Sequence, residues 1–373
     1  MNPIRQTVLA PVRRVLIKVG SAVLTGADGL DLTIVQQLVD DIALLTKTGH
    51  QVVLVTSGAI ASGKHRMGIT GELKSMPQKQ ACAAIGQGKL MHAYESFFSK
   101  SGMHTAQLLL TRDGLEMRSR FLRASQTLHE LLRLRVIPIV NENDTVSTEE
   151  IAFGDNDILS VYAAHLVKAD LLVILSDVDG FFLKDGSRIR QVNSRKQISS
   201  ELTKHIADRR KERTVGGMRA KLRAASQSMA MGIPLLMVNG HRRGVLKRAL
   251  KGDDLGTLFL PEKSRKSSRE MWISFTASRQ GTIVVDSGAY EALSTKKRSL
   301  LPKGILRVRG SFEKGQVVEL ETAEGRVFGR GVARYAGREI TQLTGKRTDE
   351  IESILGYKSY DEVIHRNDMV LWD

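Results

Sequence analysis

Between residues 141 and 160 the chain reads NENDTVSTEEIAFGDNDILS. Asn141, Glu142, Asn143 and Asp144 follow the apolar run VIPIV. Asp155, Asn156 and Asp157 follow a glycine and open the apolar run ILSVYAAHLV. Short acidic and amide side chains therefore crowd the end of an expected strand and the start of an expected helix. Asp and Asn in such places can grip an ammonium group, a hydroxyl or a hydrated divalent cation. Helix capping favours the same residue types, but two such clusters in one crossover are harder to explain by capping alone.

Two lysines stand in comparable positions. Lys18 lies near the end of the apolar run Val15–Val19 and is followed by Gly20-Ser21. A glycine there lets an anion approach the backbone closely. Lys221 comes one turn after the pair Gly216-Gly217, and paired glycines ahead of a helix expose N–H groups to phosphate. This is not the P-loop pattern, which places Lys and Ser or Thr directly after the second glycine. Thr56-Ser57-Gly58-Ala59-Ile60 and Ser176-Asp177-Val178-Asp179-Gly180 each close another expected strand with small polar residues. Either turn has a purely steric reading, and a lysine at a strand end is ordinarily solvated.

The elements that would carry these residues alternate. Strands are expected at 15–19, 51–55, 105–110, 136–140, 171–175 and 235–238. Asp31 is the expected N-cap of a helix with Leu32, Val35, Leu38, Val39, Ile42 and Leu45 at helical spacing, closed by Gly49. Residues 77–100 and 118–134 read as further helices, and Gly86 and Gly88 would allow close helix packing. A strand–helix–strand unit in this order is parallel and right-handed, so the expectation is an α/β fold with an open, mostly parallel sheet sandwiched by helices. Ligands in such folds bind beyond the carboxyl ends of the strands. After the charged, Ser-rich stretch PEKSRKSSRE at 261–270 the texture changes to short β-prone stretches at 282–285, 305–310, 317–320 and 327–335. That predicts three parts: a domain over 1–260, a linker over 261–270 and a small β-rich, barrel-like domain over 271–373.

Composition bounds the rest. The single cysteine, Cys82, excludes an intramolecular disulfide framework among 373 residues. Runs such as LLVIL are far too short to span a bilayer, and no signal peptide is read at the N-terminus. A soluble, cytoplasmic protein is expected. The net charge of +16 fits nucleic acid, an anionic ligand or a generally basic surface. The nine histidines form no metal-ligand pattern, so no protein-bound metal is predicted.

Taken in order, IKVGSAVLT, VTSGAI, NEND, FGDND, LSDVDG, VGGMRAK and GTLF, with LLPKGI and ILGY near the C-terminus, resemble the long-form bacterial glutamate 5-kinases. In that family an amino-acid-kinase domain precedes a PUA domain, a pseudo-barrel module found in many RNA-modifying proteins. The resemblance covers nearly the whole chain. It implies ATP-dependent phosphorylation of the glutamate γ-carboxylate, the first step of proline biosynthesis, with Mg²⁺ held mainly by the nucleotide phosphates. By the family's pattern Ser57, Asp144 and Asn156 bind glutamate. Lys18, Ser176, Asp177, Gly216, Gly217, Met218 and Lys221 bind ATP, and Asp157 orients the two catalytic lysines. One departure is Val215, where the family usually has Thr. The resemblance also implies a homo-oligomer, often a tetramer, feedback by proline, and a γ-glutamyl-phosphate reductase as pathway partner. Two other readings stay open at this point. One is a related kinase acting on N-acetylglutamate, aspartate, carbamate or a nucleoside monophosphate. The other is an RNA-binding protein working through its C-terminal domain.

Overall fold

Strands buried on both faces are written as near-continuous apolar runs, and those runs build the main sheet. The computed structural model describes residues 3–26, 29–146, 156–202, 217–262, 267–276 and 279–372. The chain divides into two units, Met1–Gly114 with Ser119–Ser264, and Leu115–Arg118 with Arg265–Asp373.

In the first unit the strands of the main sheet are β1 (Arg14–Val19), β2 (Gln51–Val55), β3 (Thr105–Leu110), β4 (Ile137–Glu142), β5 (Leu171–Ser176), β6 (Gln191–Val192), β7 (Leu235–Asn239) and β8 (Thr257–Phe259). They form one eight-stranded sheet in the order β6-β8-β7-β5-β1-β2-β4-β3. Every pairing is parallel except β7 with β8. From β1 the chain first builds β2, β3 and β4 on one side, then crosses back to β5 and β7 on the other. The reversal falls at β1, and the crevice outside the carboxyl ends at such a reversal is where these sheets bind ligands.

Among the described residues of 1–260, the helices longer than five residues are α1 (Pro3–Leu9), α2 (Leu32–Lys47), α3 (Ala59–Arg66), α4 (Met76–Lys100), α5 (Arg118–Arg133), α6 (Asn156–Leu166), α7 (Met218–Ala230) and α8 (Val245–Leu250). Asp31 caps α2 by accepting from the N–H groups of Thr33 and Ile34 at 2.9 and 3.2 Å. Gly49 follows with φ +90°, the left-handed closure expected of it. Ser75 and Gln78 make a capping box at the start of α4.

Helices α3 and α4 touch backbone to backbone. A Cβ on Gly86 would lie 1.9 Å from the Ala59 carbonyl oxygen, and one on Gly63 would lie 1.8 Å from that of Cys82. Gly88, by contrast, faces open space, so only the first of the two expected packing glycines serves that purpose. The sequence reading does not include α1, which carries a fully buried arginine. Arg5 donates to the backbone oxygens of Asp253, Leu255, Arg190 and Gly256 at 2.6–3.1 Å.

The second unit holds β9 (Arg279–Val285), β10 (Ile305–Gly310), β11 (Val317–Thr322), β12 (Val327–Val332) and β13 (Met369–Leu371), in the order β10-β9-β11-β12-β13. Its own core is built on Ile283, Val285, Leu320, Phe328, Ile340 and Val363. Short helices at 287–294, 337–343 and 351–355 interrupt the strands, so the unit is less purely β than its sequence texture suggests.

Candidate active site

The carboxyl ends of β1, β2, β4, β5 and β7 open on one edge, and nearly every residue singled out in the sequence comes to it. The register sets Lys18 beside Val55 of β2 and Ile174 of β5. Its neighbour in space is Asp157, in the first turn of α6. Both are buried, Asp157 completely. Lys18 Nζ pairs with Asp157 Oδ1, and Lys221 Nζ, in the first turn of α7, lies 3.5 Å from Asp157 Oδ2. One buried carboxylate thus contacts two ammonium groups in a nearly dry place. Burying charges at such a cost is tolerated when they are paired. Gly20 lies against the same lysine; a Cβ there would come within 3.5 Å of Lys18 Nζ.

On the β2 and β4 side stands a network of short polar groups. Asn156, at the start of α6, donates from Nδ2 to the Thr56 carbonyl at 2.7 Å, to Ser57 Oγ at 2.9 Å and to Asn141 Oδ1 at 2.9 Å. Its amide therefore ties α6 to the ends of two strands and does not serve as a cap, since a cap accepts. Asn141 and Glu142 are the last residues of β4 and are buried, so the strand runs two residues beyond the apolar run VIPIV. Asp144 follows in a turn. Burial, with the charge of Glu142 adding to it, pushes its carboxyl up to about 6.

On the β5 side, buried Ser176 donates from Oγ to Asp177 Oδ1 at 3.0 Å. Gly217 precedes the first turn of α7, where Met218 begins the helix and Lys221 follows. Gly216, Val215 and Asp155 lie outside the described residues. The structure thus brings together Lys18, Asp157 and Lys221 in one cluster, and Ser57 and Asn156 in another. Sequence reasoning gives no role to Thr56, Gln87, Tyr94 or Asn141 individually. Gln87 and Tyr94 stand two turns apart on α4 and bond Asn141 and Thr56, each at 2.8 Å. The visible signal is a pair of polar tips at helical spacing in an otherwise packing helix, which is faint. Asn141 is visible only as the first letter of NEND.

Comparison with known proteins bears on this arrangement. The amino acid kinase family model matches residues 13–239, and the PUA domain model matches 281–355. A protein of Syntrophotalea carbinolica named glutamate 5-kinase is 44% identical over 370 residues, covering 98% of this chain and 99% of its own length. A Geobacter sulfurreducens protein of the same name is 45% identical over 371 residues, covering 98% and 100%. The chain belongs to the amino acid kinase family, among the glutamate 5-kinases. The fold agrees with a solved Giardia carbamate kinase structure at a TM-score of 0.50. With 18% identity, spanning 67% of this chain and 99% of that one, that likeness concerns the fold alone. In this kinase the eight-stranded sheet is the family's catalytic fold, and the β-rich C-terminal unit is its PUA domain. Among the described residues no helix is long and apolar enough to cross a membrane, and no three His, Cys, Asp or Glu side chains gather to hold a metal ion.

Proposed function

We propose that the chain is a glutamate 5-kinase, which transfers the γ-phosphoryl group of ATP to the γ-carboxylate of L-glutamate to give γ-glutamyl phosphate and ADP. One observation carries the reading: relatives of that name match the chain from end to end at about 44% identity. The geometry supports it. The network at β2 and β4 and the loops at β5 and α7 flank Lys18, so acceptor and donor would meet over the strand between them.

A γ-carboxylate oxygen attacks the γ-phosphorus, and the bond from that phosphorus to the β,γ-bridging oxygen breaks. A carboxylate is already a competent nucleophile, so the site needs alignment and charge neutralisation more than a general base. Lys18 would stabilise the phosphoryl group in flight. Lys221, with the N–H groups around Gly216, Gly217 and Met218, would grip the ATP phosphates, and Ser176 and Asp177 would line the nucleotide side. Asp157 would keep the two ammonium groups apart and aimed. The lysine pair and the helix terminus fit a polyphosphate; Mg²⁺ taking its oxygens mainly from that polyphosphate would add further neutralisation. Asp144 would take the α-ammonium of glutamate, with Ser57 and Asn156 beside it. An acetylated amine would leave that carboxylate unmatched, which disfavours N-acetylglutamate.

Within this reading 1–260 is the kinase domain, 261–270 a linker and 271–373 the PUA domain. The enzyme would act in the cytoplasm as a homo-oligomer, tetrameric by the family's habit. It would hand its labile product to a γ-glutamyl-phosphate reductase. Nucleic acid binding by the PUA domain has only the basic charge balance behind it. The test is ATP consumption with glutamate, N-acetylglutamate, aspartate and UMP side by side, with hydroxylamine trapping of the acyl phosphate. Preference for any acceptor other than glutamate would overturn the assignment.

A further inference from the structure

We propose that Gln87 is a positioning residue for the acceptor substrate, holding Asn141 and through it the Asn156 amide in place beside glutamate. The inference rests on the glutamate kinase reading above.

Amide side chains can turn either end toward a neighbour, so something must decide. Here the decision starts from a backbone group that can only donate. The Glu142 N–H donates to Asn141 Oδ1 at 2.9 Å. Asn141 must therefore present its Nδ2 on the other side, where it meets Gln87 Oε1 at 2.8 Å. The same Asn141 oxygen accepts from Asn156 Nδ2, and that amino group also serves Thr56 and Ser57. Asn156 Oδ1 is left with no hydrogen bond among the described residues. The Thr56 carbonyl, which can only accept, turns the donor end of Asn156 inward, and Asn141, held by Gln87, secures it there, leaving the acceptor end for a ligand. An amide acceptor suits an ammonium group and is poorly matched to an anion.

Gln87 is the only member of the Gln87–Asn141–Asn156 chain that sits on α4. That helix is fixed in height where Gly86 meets the backbone of α3. Tyr94, two turns on, holds Thr56 Oγ1 from the same helix. Helix α4 thus braces both arms of the acceptor network, and Gln87 supplies the oxygen that only one orientation of Asn141 can use.

Gln87→Met keeps the length of the side chain and removes the acceptor. Gln87→Glu keeps an oxygen for Asn141. Gln87→Ala removes the same acceptor and serves if the Met side chain does not pack. Steady-state kinetics of the full-length enzyme with both substrates varied, with melting curves beside them, read the result. For Gln87→Met and Gln87→Ala, the expectation is a glutamate KM raised about tenfold, the scale of one lost hydrogen bond at its upper end. The ATP KM should stay within about twofold, and Gln87→Glu should fall within about threefold of wild type on both. A normally melting Met or Ala variant with an unchanged glutamate KM overturns the proposal. So does an equal rise in both KM values, or a Glu variant as impaired as the Met variant. If the wild type itself does not turn over glutamate, the functional reading fails along with the proposal. If it does, an unchanged variant removes only the role of Gln87.

Discussion

Replacing Asp157 with Asn tests the charge arrangement at the centre of the site. Asp157 is fully buried, with Lys18 on one oxygen and Lys221 on the other. The lysine side chains are only 4% and 14% exposed, so solvent screens neither contact strongly. Breaking such a buried pair by removing its carboxylate costs about 3–5 kcal/mol. Asn keeps one acceptor oxygen in the same shape, so the lower end, about 3 kcal/mol, is the better figure. At roughly 2–4 °C per kcal/mol for a domain of this size, the first unit should melt about 6–12 °C lower. Nucleotide phosphates carry the charge that the substitution removes. Saturating Mg-ADP should therefore raise the melting temperature of Asp157→Asn by more than it raises that of the wild type. The assay is thermal melting with and without Mg-ADP, followed by kcat at a temperature where both proteins are folded. Melting within about 2 °C of wild type, a shift below that expected for even 1 kcal/mol, would refute the buried-triad argument. An equal nucleotide shift in both proteins would refute the idea that phosphate and carboxylate compete for the same lysines.

Four further outcomes are expected. Lys18→Met should lower kcat about 10²–10⁴-fold with little change in either KM, whereas Lys221→Met should also raise the ATP KM; turnover within a few-fold of wild type would remove that lysine from the catalytic apparatus. Because the Asp144 carboxyl is raised to about 6, the folded protein keeps a proton there that the unfolded chain has already lost. Its stabilising contribution is present at low pH and is lost as pH rises from about 4 through about 6. Asp144→Asn should then raise the melting temperature of the ligand-free protein at pH 8 but not at pH 4. The wild-type kcat/KM for glutamate should fall as pH drops below about 6, and a flat profile would contradict the shift. Gly86→Ala should destabilise by several kcal/mol because its Cβ meets backbone, while Gly88→Ala, facing open space, should stabilise by roughly 0.5–1 kcal/mol; similar melting of the two variants would contradict the α3–α4 contact. Arg5→Met should destabilise by about 3–5 kcal/mol through its lost carbonyl contacts, and urea unfolding monitored by far-UV circular dichroism would show no change if α1 is dispensable.

The parallel sheet was legible because its strands are buried on both faces and so carry unbroken apolar runs: VLIKV, QVVLV and LLVILS each stand out against polar turns. The α2 helix was legible from Asp31, a period of apolar residues and Gly49. Lys18 and Lys221 could be suspected as strand-end and helix-start lysines, but their convergence on Asp157 depends on a register and a crossover that no local pattern encodes. Arg5 was invisible for a physical reason. An arginine in a short N-terminal helix is ordinarily solvated, and its buried state depends on carbonyls roughly 185 to 251 residues away. The Gln87 relay was hidden by the same kind of distance. A polar residue on a packing helix carries no mark of what its tip meets, and the deciding donor is a backbone N–H, which the side-chain sequence does not display. The interleaved helices of the second unit were missed because short amphipathic turns between strands look like loops.

The two halves of the site divide the work. On the side of β5 and α7, a single buried carboxylate contacts two lysines. On the side of β2 and β4, burial and then the charge of Glu142 raise the Asp144 carboxyl, and Asn156 spends its donor end on the protein. On the proposed reading each half would favour one substrate: phosphate beside the lysines, ammonium beside Asp144. Neither half could serve for the other, because the polar network hangs on β2 and β4, the loops of the opposite side hang on β5 and α7, and β1 lies between them. A polyphosphate and an amino acid on either side of Lys18 would set the γ-carboxylate and the γ-phosphorus facing one another. Binding energy from the two sides would then go into that alignment, where it can lower the barrier.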